Sequence, residues 1–342
     1  MPRLPLLAAL LASAAWPALA QGTGTASGGR AIYTGGERGA YHSLFCPPLP
    51  PALARAYFNN YQCTPSRGTL DNIALVLRSP NSIGFAQLDV FAREAQRRPQ
   101  EFARLTLIRR DIACEGLWMV TKNDRLQNLG DVQGLARRIP IILPPRESGS
   151  AASFAFLREN DPEGLGRVQE ANIRYARDAT DVIEQVANSN DGAVGFFVQF
   201  ADPSNANIRL LVERNLRTVP VVSREVLRIR VGEEAVYQVQ EFALTEGGFL
   251  GIGGRARVAT TACTPVAIFT GTPDAVGNTP NAREDQRDLI QRVREVPAAQ
   301  LLPQQGAVAR IISGARRVSQ QAVEGMENAA ASARRAAERQ MN

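Results

Sequence analysis

From Ala31 onward, short apolar runs alternate with segments whose apolar residues recur every three or four positions. "AIYT" has the length and composition of a strand. In "LPPALARAYFNN", Pro50 and Pro51 are placed to start a helix, because proline's fixed φ and missing N–H suit a first helical turn. "YQCTPS" predicts a second strand, "TLDNIALVLRSP" a helix closed by Pro80, "SIGFAQ" a third strand and "DVFAREAQRR" another helix. Alternation of this kind argues for a parallel sheet flanked by helices, an α/β domain.

The run "RLTLIRRDIACEGLWMVT" predicts one unusually long strand, followed by a polar segment with a short helix from Asn128. A second βα series then runs through "RIPIILPP", "SGSAASFAFLREN", "IRYAR", "TDVIEQVANS", "GAVGFFVQF", "IRLLVE" and "RTVPVV". After Ser223 the pattern turns β-rich, with "VLRIRV", "AVYQVQEFAL" and "RARVATTACTPVAIFTG" around a glycine-rich "GGFLGIGG". A helix, "NAREDQRDLIQRVREV", and a basic alanine-rich tail complete the chain.

This order predicts one domain interrupted by another. Residues 30–115 would form the first part of lobe 1, 116–222 an inserted lobe 2, 223–312 the return to lobe 1, and 313–342 a helical tail. The long strand near Cys114 would leave lobe 1 and the strand around Cys263 would re-enter it. Two lobes joined by paired crossover strands bind a ligand in the cleft and close around it by a hinge.

The first twenty residues add a compartment. Arg3, the apolar "LPLLAALLASAAW" and the small-residue "ALA" before Gln21 read as a secretory signal peptide cleaved after Ala20, with 21–29 as a linker and a periplasmic destination. The run is shorter than the ~20 apolar residues of a spanning helix. The net charge of +6 comes from bases interspersed with acids, without a dense basic run carrying aromatics, so no nucleic-acid partner is expected. An even set of four cysteines in an exported chain points to disulfides, with three pairings open. The lone histidine, His42, and the lack of a CxxC leave no zinc site, and no metal or cofactor is expected. There is no G-x-S-x-G elbow and no phosphate-binding P-loop, so the chain reads as a non-enzyme without catalytic residues.

Three glycine- or hydroxyl-rich turns carry the candidate chemistry: Thr34 to Gly39 ahead of a helix start at Tyr41, Arg67 to Asn72, and Arg146 to Ser150. Each is placed to present N–H groups and hydroxyls to the oxygens of a small anion, and the glycines let backbone approach a solute closely.

The order of these motifs resembles a known family. G-G-x-x-G-x-Y at Gly35, Gly36, Gly39 and Tyr41, G-T-x-x-N at Gly68, Thr69 and Asn72, and G-F-x-Q-x-D from Gly84 to Asp89 are similar to the TAXI family of solute receptors, the extracytoplasmic binding components of one class of TRAP transporter. "LQNLGDVQG", "PPRESGSAASF" and "DGAVGFFVQFADP" extend the likeness, which spans Ala31 to Val222. The resemblance implies a two-lobed type II periplasmic binding-protein fold, each lobe a sheet flanked by helices. It also implies capture of a small organic anion, of carboxylate or amino acid type, for TRAP-type membrane subunits; the chain is expected to be a monomer.

The expected ligand-binding residues are Thr34, Gly35, Gly36, Tyr41, Thr69, Asn72, Gln87, Ser148, Gly149, Ser150 and Phe197. Phe196 and Phe197 face opposite sides of a strand, one into the core and one onto the cleft. Asp89 is expected to hydrogen-bond across the lobe, and His42 to cap or pack locally. Cys46 after the first turn should pair with Cys63 in the next strand, and Cys114 with Cys263 on the two crossover strands. A second reading keeps the two-lobed fold but makes the protein a periplasmic interaction or signalling protein that uses the 247–254 loop or the tail. An exported enzyme using His42 is a third. The tail's apolar stripe is mostly alanine, so membrane contact is not expected of it.

Overall fold

The structure is a computed structural model that describes residues 30–231, 234–245 and 257–301. The expected signal peptide and linker, the glycine-rich 247–254 loop and the 313–342 tail lie outside the described residues.

Lobe 1 opens with β1 (Arg30–Tyr33), a π-helical turn (Tyr41–Phe45), α1 (Leu49–Ala54), β2 (Tyr61–Thr64), α2 (Thr69–Arg78), β3 (Ile83–Gln87), α3 (Leu88–Arg97), α4 (Pro99–Phe102) and β4 (Leu105–Arg109). Lobe 2 follows with β5 (Cys114–Thr121), α5 (Leu129–Gly134), β6 (Ile141–Leu143), α6 (Gly149–Asn160), β7 (Ile173–Tyr175), α7 (Ala179–Asn188), β8 (Val194–Phe200), α8 (Ala206–Glu213), β9 (Arg217–Val219), α9 (Arg224–Arg228), β10 (Arg230–Val231), β11 (Glu234–Ala235) and β12 (Gln238–Ala243). β13 (Val258–Gly271) runs through both lobes, and α10 (Pro273–Val276), α11 (Pro280–Glu295) and α12 (Ala298–Leu301) finish lobe 1. The two-lobed α/β architecture is the one the alternation led us to expect.

β13 is antiparallel to β12 and β5 along its first half, with Cys263 opposite Gln238 on one side and Gly116 on the other. Along its second half it is antiparallel to β3 and β4, from Val266 opposite Gln87 to Gly271 opposite Leu105. β1 is parallel to β2 and β3, and β6 to β7 and β8, whereas β5 is antiparallel to β8 and β9, and β10 to β11. Successive residues of β13 serve opposite faces of lobe 1. Val266 and Ile268 pack with Ile32, Phe45, Phe85 and Leu289, whereas Ala267 and Phe269 pack with Ile73, Val76 and Phe102. Helix starts are fixed locally: Asn128 and Asp131 form a reciprocal capping box on α5, and Ser148, Asp178, Asn205 and Thr279 cap α6, α7, α8 and α11.

Three expectations are corrected. The long strand over "RLTLIRRDIACEGLWMVT" is two, β4 and β5, interrupted at 110–113. Arg109 lies opposite Ile268 and Cys114 opposite Pro265, so five steps on this side match three on β13. Surplus residues of this kind bend a strand, here where the chain passes from one lobe to the other. The return to lobe 1 falls near Pro265 within β13 and not at 223. Val226, Ile229, Val236 and Tyr237 pack in one lobe 2 core with Leu117 and Phe154, and Phe242, Leu244, Ala259 and Cys263 pack in another with Trp118. Lastly, "VLRIRV" begins as helix: the Ser223 hydroxyl accepts from Val226 N–H at 3.2 Å and starts α9, leaving only Arg230 and Val231 extended.

Both disulfides have the expected partners, Cys46–Cys63 and Cys114–Cys263, with sequence separations of 17 and 149. The second joins β5 to β13 where both cross between the lobes. Replacing Cys114 and Cys263 together by serine should lower stability by about 2 to 4 kcal/mol in urea unfolding, because the unfolded chain regains the freedom of a long loop. Mass spectrometry showing free thiols in the exported native protein would refute the pairing.

Candidate functional site

The glycine turns of lobe 1 lie against each other. Gly35 sits at φ +88° and Gly68 at φ +122°, backbone that side chains rarely adopt, and a Cβ on Gly35 would stand 3.4 Å from the Gly68 Cα. Gly68 precedes α2, whose Thr69, Leu70 and Asp71 N–H groups have no hydrogen bond among the described residues. Such orphan donors at the positive end of a helix dipole suit an anion's oxygens. The helix expected at Tyr41 is a single π-helical turn, in which Cys46 N–H donates to Tyr41 O at 2.9 Å. It aims the Tyr41 side chain inward.

Lobe 2 supplies the N-terminus of α6. The Ser148 hydroxyl caps it by accepting from Ala151 N–H at 3.1 Å, and the Ser150 hydroxyl accepts from Val198 N–H at 3.0 Å, which ties α6 to β8. The Gly149 and Ser150 N–H groups are without a hydrogen bond among the described residues. A Cβ on Gly149 would fall 2.0 Å from Gln87 Oε1 and 3.3 Å from Thr69 Oγ1. Gln87 and Thr69 belong to lobe 1, so the two helix starts meet across the cleft. The lobes are in contact here, and a side chain at Gly149 would have to displace the Gln87 amide.

Beneath that contact lies a buried acidic centre. Tyr41 donates to Glu115 Oε2 at 2.5 Å, and Tyr237 of lobe 2 donates to Asp89 Oδ2 at 2.9 Å. Asp89 Oδ1 accepts from Val90 N–H at 2.8 Å, and Asp89 N–H donates to Thr264 Oγ1 at 3.1 Å. Asp89 is 0% and Glu115 6% exposed, and neither carboxyl pairs with an arginine or lysine among the described residues. Burial pushes Glu115 up to about 7, with the Tyr41 hydrogen bond opposing and the Asp89 charge adding to the rise. Burial likewise raises Asp89, against the pull of Ser153, Tyr237, the Val90 N–H and Thr264. Both tyrosines are raised well above the usual phenol value, by burial first and then by the carboxyls beside them. Away from this centre, Arg93 of α3 forks onto Glu159 of α6 at 2.7 and 3.0 Å, and Ala92 of α3 packs into the lobe 2 core.

The expected residues divide into three groups. Thr69, Gln87 and Gly149 converge at the lobe contact, with Tyr41 beneath it. Thr34, Asn72, Ser148 and Ser150 are engaged in holding the turns: Thr34 Oγ1 lies 2.9 Å from His42 Nδ1, Asn72 Nδ2 donates to Phe85 O at 2.8 Å, and the two serines bond as above. His42 thus packs locally, as expected. Gly35 is buried at the turn contact while Gly36 is exposed. Phe197 is not on the cleft wall: it is fully buried among Trp118, Val182 and Ile208, while Phe196 packs on Phe154, so both faces of β8 are covered by lobe 2 itself. Glu115, Tyr237, Ser153 and Thr264 were missed. Glu115 had left a trace, a single acid inside an apolar strand that is buried on both faces.

No family model matches the chain, and no curated protein matches it. Similar solved structures include a possible phosphate binding protein from Planctomyces limnophilus, 14% identical at a TM-score of 0.35, covering 88% of this chain and 97% of that one. A Candida albicans protein described as having the generic periplasmic binding protein fold is 10% identical at a TM-score of 0.42, covering 83% and 80%. An R. palustris protein solved with adipate is 14% identical at 0.41, covering 87% and 93%. What those proteins bind says nothing of the solute here.

Two outcomes follow from the geometry. Gly149→Val should hold the lobes apart, giving a larger radius of gyration by small-angle scattering with unchanged far-ultraviolet circular dichroism; an unchanged radius would show that the contact is not required for closure. Glu115 has a folded pKa raised above its unfolded value of 4.5, so its favourable contribution is full below that value and lost as pH rises through about 7. Stability measured from pH 4.5 to 8 should therefore fall less steeply in Glu115→Gln than in the native protein.

Proposed function

We propose that the protein is a periplasmic solute-binding protein whose lobes close on a small organic anion, of carboxylate or amino acid type, and present it to the membrane subunits of a TRAP-type transporter. The observation that carries this reading is the meeting of the α2 and α6 starts, one from each lobe, with orphan N–H groups on both. A ligand that accepts from both helix starts bridges the lobes and favours the closed state by its differential affinity. The polar centre fits a receptor better than the alternative of an interaction protein, whose loop and tail lie outside the described residues. Export rests on the leader-like first twenty residues and agrees with the two disulfides. The TRAP-type partner rests on the motif order alone.

A thermal-shift screen of residues 21–342 against amino acids, dicarboxylates, other organic acids and inorganic phosphate tests the reading. A true ligand at 100 times its Kd should add roughly 2.7 kcal/mol of stability by mass action. That gain should shrink in Thr69→Val and in Gly149→Val. Silence across the panel would sink the receptor reading.

A further inference from the structure

The acidic centre is chemically odd for a receptor of simple anions. Two carboxyls are buried together, each with a tyrosine hydroxyl donating to it, and no basic side chain of the described residues is bonded to either. Tyr41 feels both of them, so they share one locality. Desolvated carboxylates without a cation are unstable as anions: they take up protons or a positive partner. A second feature points the same way. Ser153 on α6 is fully buried, its hydroxyl is close enough to Asp89 to favour that group's ionised form, and it completes no hydrogen bond of good geometry. An unsatisfied hydroxyl from lobe 2 therefore faces a carboxyl from lobe 1 across the line where the lobes meet.

We infer that the solute carries a protonated nitrogen as well as its anionic group, and that Asp89, Glu115 and Ser153 form the seat of that nitrogen. An ammonium is donor-only, with three N–H bonds to give, and the seat offers two carboxyls and a hydroxyl oxygen as acceptors. Thr69, whose hydroxyl lies 3.5 Å from Gln87 Oε1 at the lobe contact, opens α2, where orphan N–H groups would donate to the solute's carboxylate. Positive and negative receptors side by side select a zwitterion such as a free amino acid, and they disfavour a dicarboxylate, whose second charge would meet the acids. Entry requires the lobes to part, since Gly149 lies against Gln87. The inference rests on the receptor reading above, of which it names the solute class.

The test is calorimetric titration of the exported chain with matched pairs: L-glutamate and glutarate, L-aspartate and succinate, L-leucine and 4-methylpentanoate, with putrescine as an amine lacking a carboxylate. One amino acid should bind at least tenfold more tightly than its nitrogen-free partner, and Glu115→Gln should weaken the amino acid about tenfold without weakening the partner. Asp89→Asn serves as a second variant should Glu115→Gln fold poorly, and the comparison of pairs on the native protein needs no variant. Equal binding of both members of a pair overturns the nitrogen seat and leaves the receptor standing. Binding of putrescine alone keeps the seat and overturns the anionic group. No binding by any probe overturns both the seat and the receptor.

Discussion

One strand belongs to both sheets, and most of the structure follows from it. β13 lends its first half to lobe 2 and its second half to lobe 1, so the lobes cannot be placed independently. At its middle, Thr264 receives the Asp89 N–H and Pro265 lies opposite Cys114. Glu115, Asp89 and Tyr237 are thus held within a few residues of the point where two chain crossings run side by side. The extra residues at 110–113 bend the neighbouring path so that β4 and β5 can follow β13 through the same turn.

The contact between the lobes mixes forces of different weight. Ala92 adds one small side chain to the lobe 2 core, and the Arg93–Glu159 fork joins a guanidinium 11% exposed to a carboxylate 48% exposed. The buried centre is where the larger opposing contributions meet. Four tyrosine and carboxyl groups removed from water are tolerable only while each keeps its hydrogen bond, which makes the closed arrangement specific in geometry and sensitive to protonation. The glycines act by omission: at Gly149 the side chain of any other residue would occupy the place of the Gln87 amide.

The fold was largely legible because local rules and the global arrangement agree. Apolar runs such as "SIGFAQ" and "GAVGFFVQF" became buried strands, Pro50 and Pro51 sat in the first helical turn, and Asn128 caps the short helix expected to begin there. What was not legible depended on pairing at a distance. "VLRIRV" alternates like a strand, yet a serine cap three residues upstream of Val226 outweighs that pattern. The placement of α9 and β12 depended on which half of β13 they met, which no local spacing encodes. The site shows the same division: turns announced by glycine were found, whereas Tyr237 and Ser153 reach the centre only through the closure of the lobes. Phe197 went astray because alternation says that neighbours face apart but not that helices cover both sides.

The Cys114–Cys263 bridge has a mechanical meaning. It closes lobe 2 into a covalent ring whose entrance and exit are the same pair of sulfurs, separated by 149 positions in sequence. Tension applied between the ends of the chain passes from β5 to β13 through the sulfurs and bypasses everything between them. Lobe 2 is therefore slack under load while lobe 1 bears it, and pulling from the termini would unravel the outer lobe around an inserted one that never feels the force.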